Sequence, residues 1–167
     1  ITPSDNMLIF YAGHGNWDEK NSIGYWLPSD AAARVLDNWL MNSIITKFVS
    51  ESKARHTLVI ADACFGGSIF RTRALKPEEE KSMAELYMRT SRKAMTSGDL
   101  TEVPDESVFV KTFVQKLTDN RESYLTTENL FFSIKPSVVN QADLIPQFGT
   151  IKNSGDQRGD FIFFRKK

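Results

Sequence analysis

Two short apolar runs do most to limit what this chain can fold into. Residues 7–12 read Met-Leu-Ile-Phe-Tyr-Ala and residues 56–61 read His-Thr-Leu-Val-Ile-Ala, with no Asp, Glu, Lys or Arg in either. A strand that is apolar at nearly every position, rather than at every second one, has to be covered on both faces, as a central strand is when helices flank the sheet. Glycine-containing turns follow both runs, Gly13-His-Gly15 after the first and Cys64-Phe-Gly-Gly67 after the second. Strands leave a sheet through such turns.

Helical spacing appears between and after these runs. Ile44, Ile45, Phe48 and Val49 recur at helical intervals over 43–50, and Val110, Phe113, Val114 and Leu117 do so over 107–117. A further helix is predicted over 127–134, with Thr126 or Thr127 as its N-cap. Residues 77–90 open with Pro and three Glu and close near Arg89, which suits a surface helix or a charged connection. Residues 92–96 predict a third strand and 159–164 a closing one, while 99–105 and 136–149 read as loops. Strands alternating with helices give an α/β class, here a three-layer α/β/α sandwich around a mostly parallel sheet, as one domain over 1–167. The opening residues, a turn running straight into a strand, read as a start in mid-domain.

Composition removes several function classes. The 167 residues carry 21 basic and 21 acidic side chains, so the formal net charge is zero. No field of one sign is available for nucleic acid or an anionic bilayer, and neither is an expected partner. The longest apolar runs fall far short of the ~20 residues of a membrane-spanning helix, and no signal peptide opens the chain. Cys64 is the single cysteine, which excludes an internal disulfide and fits a reducing, cytoplasmic setting. With only His14 and His56 beside it, no closed Cys/His zinc site can form. Asp18, Glu19 and Asp30 lack the spacing of an EF-hand loop. No metal or other cofactor is expected.

The chemistry collects at the C-terminal ends of the two clearest strands, the edge of a parallel sheet where ligands bind. The first ends in Tyr11-Ala-Gly-His14-Gly15 and the second in Ala61-Asp62-Ala-Cys64. A thiol becomes a useful nucleophile at neutral pH when a base or a positive group stands beside it, and imidazole is the usual partner. The glycines around both residues let a substrate backbone approach, and amides next to the nucleophile can stabilise an oxyanion.

His14 lies fifty residues before Cys64, a spacing known from caspase peptidases. With Phe10-Tyr-Ala-Gly-His-Gly15, Gly24-Tyr-Trp-Leu-Pro-Ser-Asp30, Ile60-Ala-Asp-Ala-Cys-Phe-Gly-Gly-Ser68, Met95-Thr-Ser-Gly98 and Gly159-Asp-Phe-Ile-Phe163, the chain resembles the caspase-like cysteine peptidases, in particular the prokaryotic orthocaspases, which are similar to metacaspases. The resemblance implies a caspase-like sandwich from which a strand, a helix and a second strand ahead of residue 1 are missing, and that segment would be the chain's partner. It implies Cys64 as nucleophile, His14 as the group that moves the proton, and the amides of Cys64 and Gly15 as oxyanion hole.

Metacaspases, which prefer Arg or Lys at the cleavage site, carry Asp at the position of Asp62, where caspases that cut after Asp carry Gln. A carboxylate there pairs with a basic side chain and repels an acidic one. Ser97 and Asp99 are assigned to the other wall of that pocket, although the metacaspase pattern puts its second Asp where this chain has Thr101, with Glu102 beside it. The connection between large and small subunits falls over 71–93, where Arg71, Arg73, Lys76, Arg89, Arg92 and Lys93 are candidate self-cleavage sites. The implied function is a cysteine endopeptidase cutting peptide or protein substrates after Arg, then Lys, as the effector of a bacterial stress, cell-death or antiphage system. The alternative is a caspase-like scaffold that binds peptide without turnover. Some metacaspases need calcium, for which this sequence offers no recognisable site. Trp17, just after His14, is a candidate for the substrate groove, whereas Trp39 is assigned to the core.

Overall fold

A computed structural model describes residues 1–32, 35–63, 69–70, 82–98, 106–142 and 144–166. The chain runs through β1 (Asn6–Ala12), β2 (His14–Asp18), β3 (Ile23–Leu27), β4 (Leu40–Met41), α1 (Asn42–Glu51), β5 (His56–Asp62), α2 (Met83–Met88), β6 (Ser91–Thr96), α3 (Val108–Asp119), β7 (Tyr124–Thr126), α4 (Thr127–Ala142), β8 (Gln147–Thr150) and β9 (Ile162–Phe164). The main sheet has the order β1-β5-β6-β8. Its first three strands are parallel and β8 closes it antiparallel to β6. The mostly parallel α/β architecture read from the sequence is the one observed.

Strand alternation splits the core into two layers. On one side Val59, Ala61 and Ala94 pack with Ile45 and Val49 of α1 and with Trp26 of β3. On the other, Leu58, Ile60 and Met95 pack against Phe109 and Phe113 of α3 and Leu130, Ile134 and Val138 of α4. Leu58 and Ile60 are completely buried, a placement that stabilises by roughly 1.5–3 kcal/mol per side chain. Every residue of β5 is buried, as its unbroken apolar run requires.

β1 departs from that expectation. It is the edge strand of the main sheet, and its exposure alternates: Ile9 and Tyr11 join the α1 layer, whereas Leu8 and Phe10 are 43% and 48% exposed. An apolar run reports affinity for cover on two faces, and the described residues supply cover on one. Two further departures are local. α4 continues through Pro136 to Ala142, where a loop was expected from 136 onward. Proline costs the helix its own amide, but Val138, beyond it, is completely buried, and that burial outweighs the local preference. The same expected loop also contains β8, whose Phe148 stacks on Phe131 at 5.3 Å.

The 71–93 connection is structured at its C-terminal end. Ser82 caps α2 by accepting the amide of Glu85 at 3.2 Å. Arg92 and Lys93 belong to β6, so the assignment of these two as cleavage sites is corrected: a strand inside the sheet does not present its backbone to a peptidase. Arg71, Arg73 and Lys76 lie outside the described residues.

Candidate active site

The site is built on the C-terminal ends of β1, β5 and β6. The β1–β5 pairing sets Ala12 beside Asp62, and the amide of Gly13 donates to the carbonyl oxygen of Asp62 at 3.2 Å. The β5–β6 pairing ends at Ala61 beside Thr96, and the Ser97 amide donates to the Ala61 carbonyl at 3.1 Å. Asp62 and Ser97 are therefore register neighbours. By alternation they share the sheet face of Leu58, Ile60 and Met95.

Both side chains are buried, Asp62 at 5% exposure and Ser97 at zero, and Asp62 Oδ1 and Ser97 Oγ make no hydrogen bond among the described residues. A buried polar atom without a partner costs about 1–3 kcal/mol, so such atoms are rare in a folded core. Both atoms lie at the C-terminal edge of the main sheet.

His14 leaves the main sheet. It opens β2, which pairs antiparallel with β3, and β4 completes this second sheet. His14 stands opposite Leu27 and Gly15 opposite Trp26. His14 is exposed. Asp18 holds the far end of the hairpin, where its carboxylate accepts the Asn21 amide at 3.1 Å and the Asn21 side chain at 2.7 Å, contacts that hold its pKa below the usual carboxylate range. Asp30 meets Asn38 at 3.3 Å. Among the described residues no three His, Cys, Asp or Glu side chains gather as a metal site would need.

Of the residues assigned to catalysis and binding, Asp62 and Ser97 lie at this edge, and His14 and Gly15 open the strand that follows β1 across Gly13. Cys64 and Asp99, with Thr101 and Glu102, lie outside the described residues; the last one before the cysteine is Ala63, 1% exposed and packed in the α1 layer. Trp17 is half-buried on β2 and Trp39 half-buried with its ring edge-on to Tyr25, while the fully buried tryptophan is Trp26. Sequence inspection missed the hairpin that carries His14 and the side chains that anchor it. Tyr11 and Trp26 pack ring to ring at 4.5 Å, and the Trp26 indole donates to Asn42 Oδ1 at 2.6 Å. The aromatic pair Tyr25-Trp26, twelve residues after Gly13-His14, was the available signal.

A sequence profile of the caspase domain matches residues 2–150. The chain belongs to the caspase-domain family. The match spans β1 to β8 and so covers both strand ends of the site. No curated protein matches the chain. Membership makes this caspase domain a cysteine-peptidase-like protein whose substrate is protein or peptide. No helix among its described residues is long and apolar enough to cross a membrane.

Proposed function

We propose that this caspase domain is a cysteine endopeptidase that cleaves after basic residues, Arg ahead of Lys, with Cys64 and His14 as its catalytic pair. In the reaction the Cys64 sulfur attacks the scissile carbonyl carbon, the C–N bond breaks, and the leaving amine takes its proton from His14; water then releases the acyl group from sulfur. The amides of Cys64 and Gly15 receive the developing oxyanion, a contribution of about 2.7–4 kcal/mol per donor.

The observation that carries the substrate class is the buried carboxylate of Asp62, whose Oδ1 has no partner among the described residues, next to the equally unpartnered hydroxyl of Ser97. A guanidinium presents several donors in one plane and satisfies such a pair better than an ammonium does. An acidic or apolar side chain would leave the carboxylate unpaired.

A panel of fluorogenic peptides with Arg, Lys, Asp or Leu at the cleavage position tests this reading. Arg exceeds Lys, Asp and Leu stay near background, and Cys64→Ala abolishes turnover. Hydrolysis after Asp or Leu at the Arg rate overturns the specificity, and turnover by Cys64→Ala overturns the nucleophile. Tight peptide binding without any turnover identifies a peptide-binding scaffold instead. An effector role in a bacterial stress, cell-death or antiphage response, in the cytoplasm and without a metal cofactor, belongs to the same proposal.

The uncovered flank of β1 supports a second element of the proposal, that a strand–helix–strand segment of the same domain pairs with this edge and covers Leu8 and Phe10. In a polypeptide carrying that segment, the β1 amides are protected from exchange, and Leu8 and Phe10 from hydrophobic dyes. Equal exposure with and without it overturns this element.

A further inference from the structure

We infer that Tyr11 is the positioning residue for His14, holding the histidine-bearing hairpin to the main sheet through its phenolic oxygen. The inference rests on the proposed role of His14 as the proton-transfer group. Tyr11 Oη lies 2.7 Å from the carbonyl oxygen of His14 and 2.9 Å from that of Leu27, and it accepts the Leu27 amide at 3.1 Å. His14 and Leu27 are partners in the β2–β3 pairing, so one side chain of the main sheet bridges both strands at the open end of the hairpin.

The chain changes sheets over a single residue, from β1 ending at Ala12 to β2 starting at His14. Such a joint leaves the direction of β2 undetermined by backbone pairing alone, and the phenol supplies the missing constraint. Gly13 is part of the device. A Cβ at that position would lie 2.9 Å from Tyr11 Oη and 3.0 Å from Cζ, so glycine is what lets the phenol sit against the turn.

The ring cannot swing away, because it packs 4.5 Å from Trp26, whose indole is fixed to Asn42 at the start of α1. Burial also pushes the phenol pKa above its usual 10.0, which keeps Oη–H a donor across the physiological range. The line of support therefore runs from α1 through Trp26 and Tyr11 to the backbone of His14. Its purpose is angular: proton transfer works within a heavy-atom reach of about 3 Å, and a displacement of about 1 Å can cost 10²-fold in rate.

Tyr11→Phe keeps the ring and removes only Oη. On a peptide cleaved after Arg we expect kcat to fall roughly 10- to 100-fold with KM within about twofold, and amide exchange over residues 14–17 and 23–27 to accelerate. Phe113→Leu, in the opposite core layer, is the matched control: it lowers the melting temperature and leaves kcat unchanged. An unchanged kcat in folded Tyr11→Phe overturns the inference. Should that variant fail to fold, Gly13→Ala, which displaces the same oxygen, reads the same relation and must lower kcat. If the wild-type protein shows no Cys64-dependent turnover, the peptidase reading falls, and Tyr11 is judged on exchange alone: faster exchange of the hairpin in Tyr11→Phe upholds its positioning role, and wild-type rates refute it.

Discussion

The amide of Gly13 and the carbonyl of Asp62 meet at 3.2 Å across the end of the main sheet. This bond ties the turn that leads into His14 to the backbone of the residue whose carboxylate faces the proposed specificity pocket. The backbone thus fixes where the turn begins relative to Asp62, and Asp62 Oδ1 has no hydrogen-bond partner among the described residues.

Asp62→Asn keeps the shape of the side chain and removes its charge. Because the wild-type Oδ1 has no partner among the described residues, folding loses little, and the denaturation midpoint stays level or rises. Binding to a guanidinium loses a charge-assisted hydrogen bond, worth about 1.5–3 kcal/mol, so kcat/KM for an Arg peptide falls roughly 10- to 100-fold. Alkylation of Cys64 by iodoacetamide changes far less. Undiminished Arg cleavage by Asp62→Asn would remove this residue from the pocket.

Arg92 is a structural arginine. Its Nη1 donates to the carbonyls of Arg55 and Ser91 at 3.0 and 2.9 Å, and its Nη2 to those of Ser52 and Ala54 at 3.0 and 2.8 Å. One guanidinium thus bonds three carbonyls of the α1–β5 connection and that of Ser91 at the start of β6. Arg92→Met takes this donor from the carbonyls of Ser52, Ala54 and Ser91, while that of Arg55 keeps the Ser91 amide, and should cost about 2–4 kcal/mol by chemical denaturation. Arg92→Lys falls between, since an ammonium cannot serve two pairs of acceptors at once. A loss below about 1 kcal/mol in Arg92→Met would mean that water replaces the guanidinium.

How far the sequence could be read depended on where the determining contacts lie. β5 was legible because its burial is expressed at every residue, and α1 and α3 because their apolar stripes follow the helical period. That the ends of β1 and β5 carry neighbouring glycine turns was legible from the two apolar runs, and the register sets Ala12 beside Asp62. The apolar run of β1 states what the strand needs rather than which neighbours it has, and among the described residues one of its faces is covered. The β2–β3 hairpin was missed because His14-Gly-Asn-Trp-Asp18 has neither alternation nor branched residues; it is held from outside by Tyr11, which packs on Trp26 of β3. Arg92 read as a candidate cleavage site, and only the contacts of its buried guanidinium show it turned inward.

Gly159 marks where the C-terminal segment is pressed against the end of α2. A Cβ there would stand 2.0 Å from the Arg89 carbonyl oxygen and 2.9 Å from that of Leu86. The neighbouring backbone is pinned on both sides, by Gly159 N–H to Thr90 O at 3.2 Å and Asp160 N–H to Leu86 O at 3.2 Å. The obstructing atoms are backbone, so they cannot rotate aside. Gly159→Ala should therefore lower stability by about 3 kcal/mol or more and speed amide exchange over α2. A melting temperature equal to wild type would show that this packing yields easily.

Stability should also carry a pH signature from Asp160. Its carboxyl is 4% exposed, accepts the amides of Glu128 at 3.2 Å and Phe161 at 2.8 Å, and lies near Lys93 and Glu128. Burial dominates these contacts and pushes its pKa up to about 6, from 3.8. The folded protein therefore holds this proton more tightly than the unfolded chain. The resulting stabilisation is complete below pH 3.8 and is lost as pH rises through 6, a span worth about 3 kcal/mol.

His56 acts in the opposite sense. Its ring is buried between Ser91 Oγ at 3.1 Å and the Tyr87 carbonyl at 2.9 Å, and burial lowers its pKa from 6.5. Its contribution is present above pH 6.5 and is lost as pH falls through the lowered value, so the wild-type profile alone mixes two slopes. Asp160→Asn separates them. The stability difference between variant and wild type should move in the variant's favour by up to about 3 kcal/mol between pH 4 and pH 7, followed by urea denaturation at each pH. Asparagine offers one acceptor to two amides, so the variant starts below wild type at pH 4. A difference that does not change with pH would show that the buried carboxyl keeps its ordinary pKa.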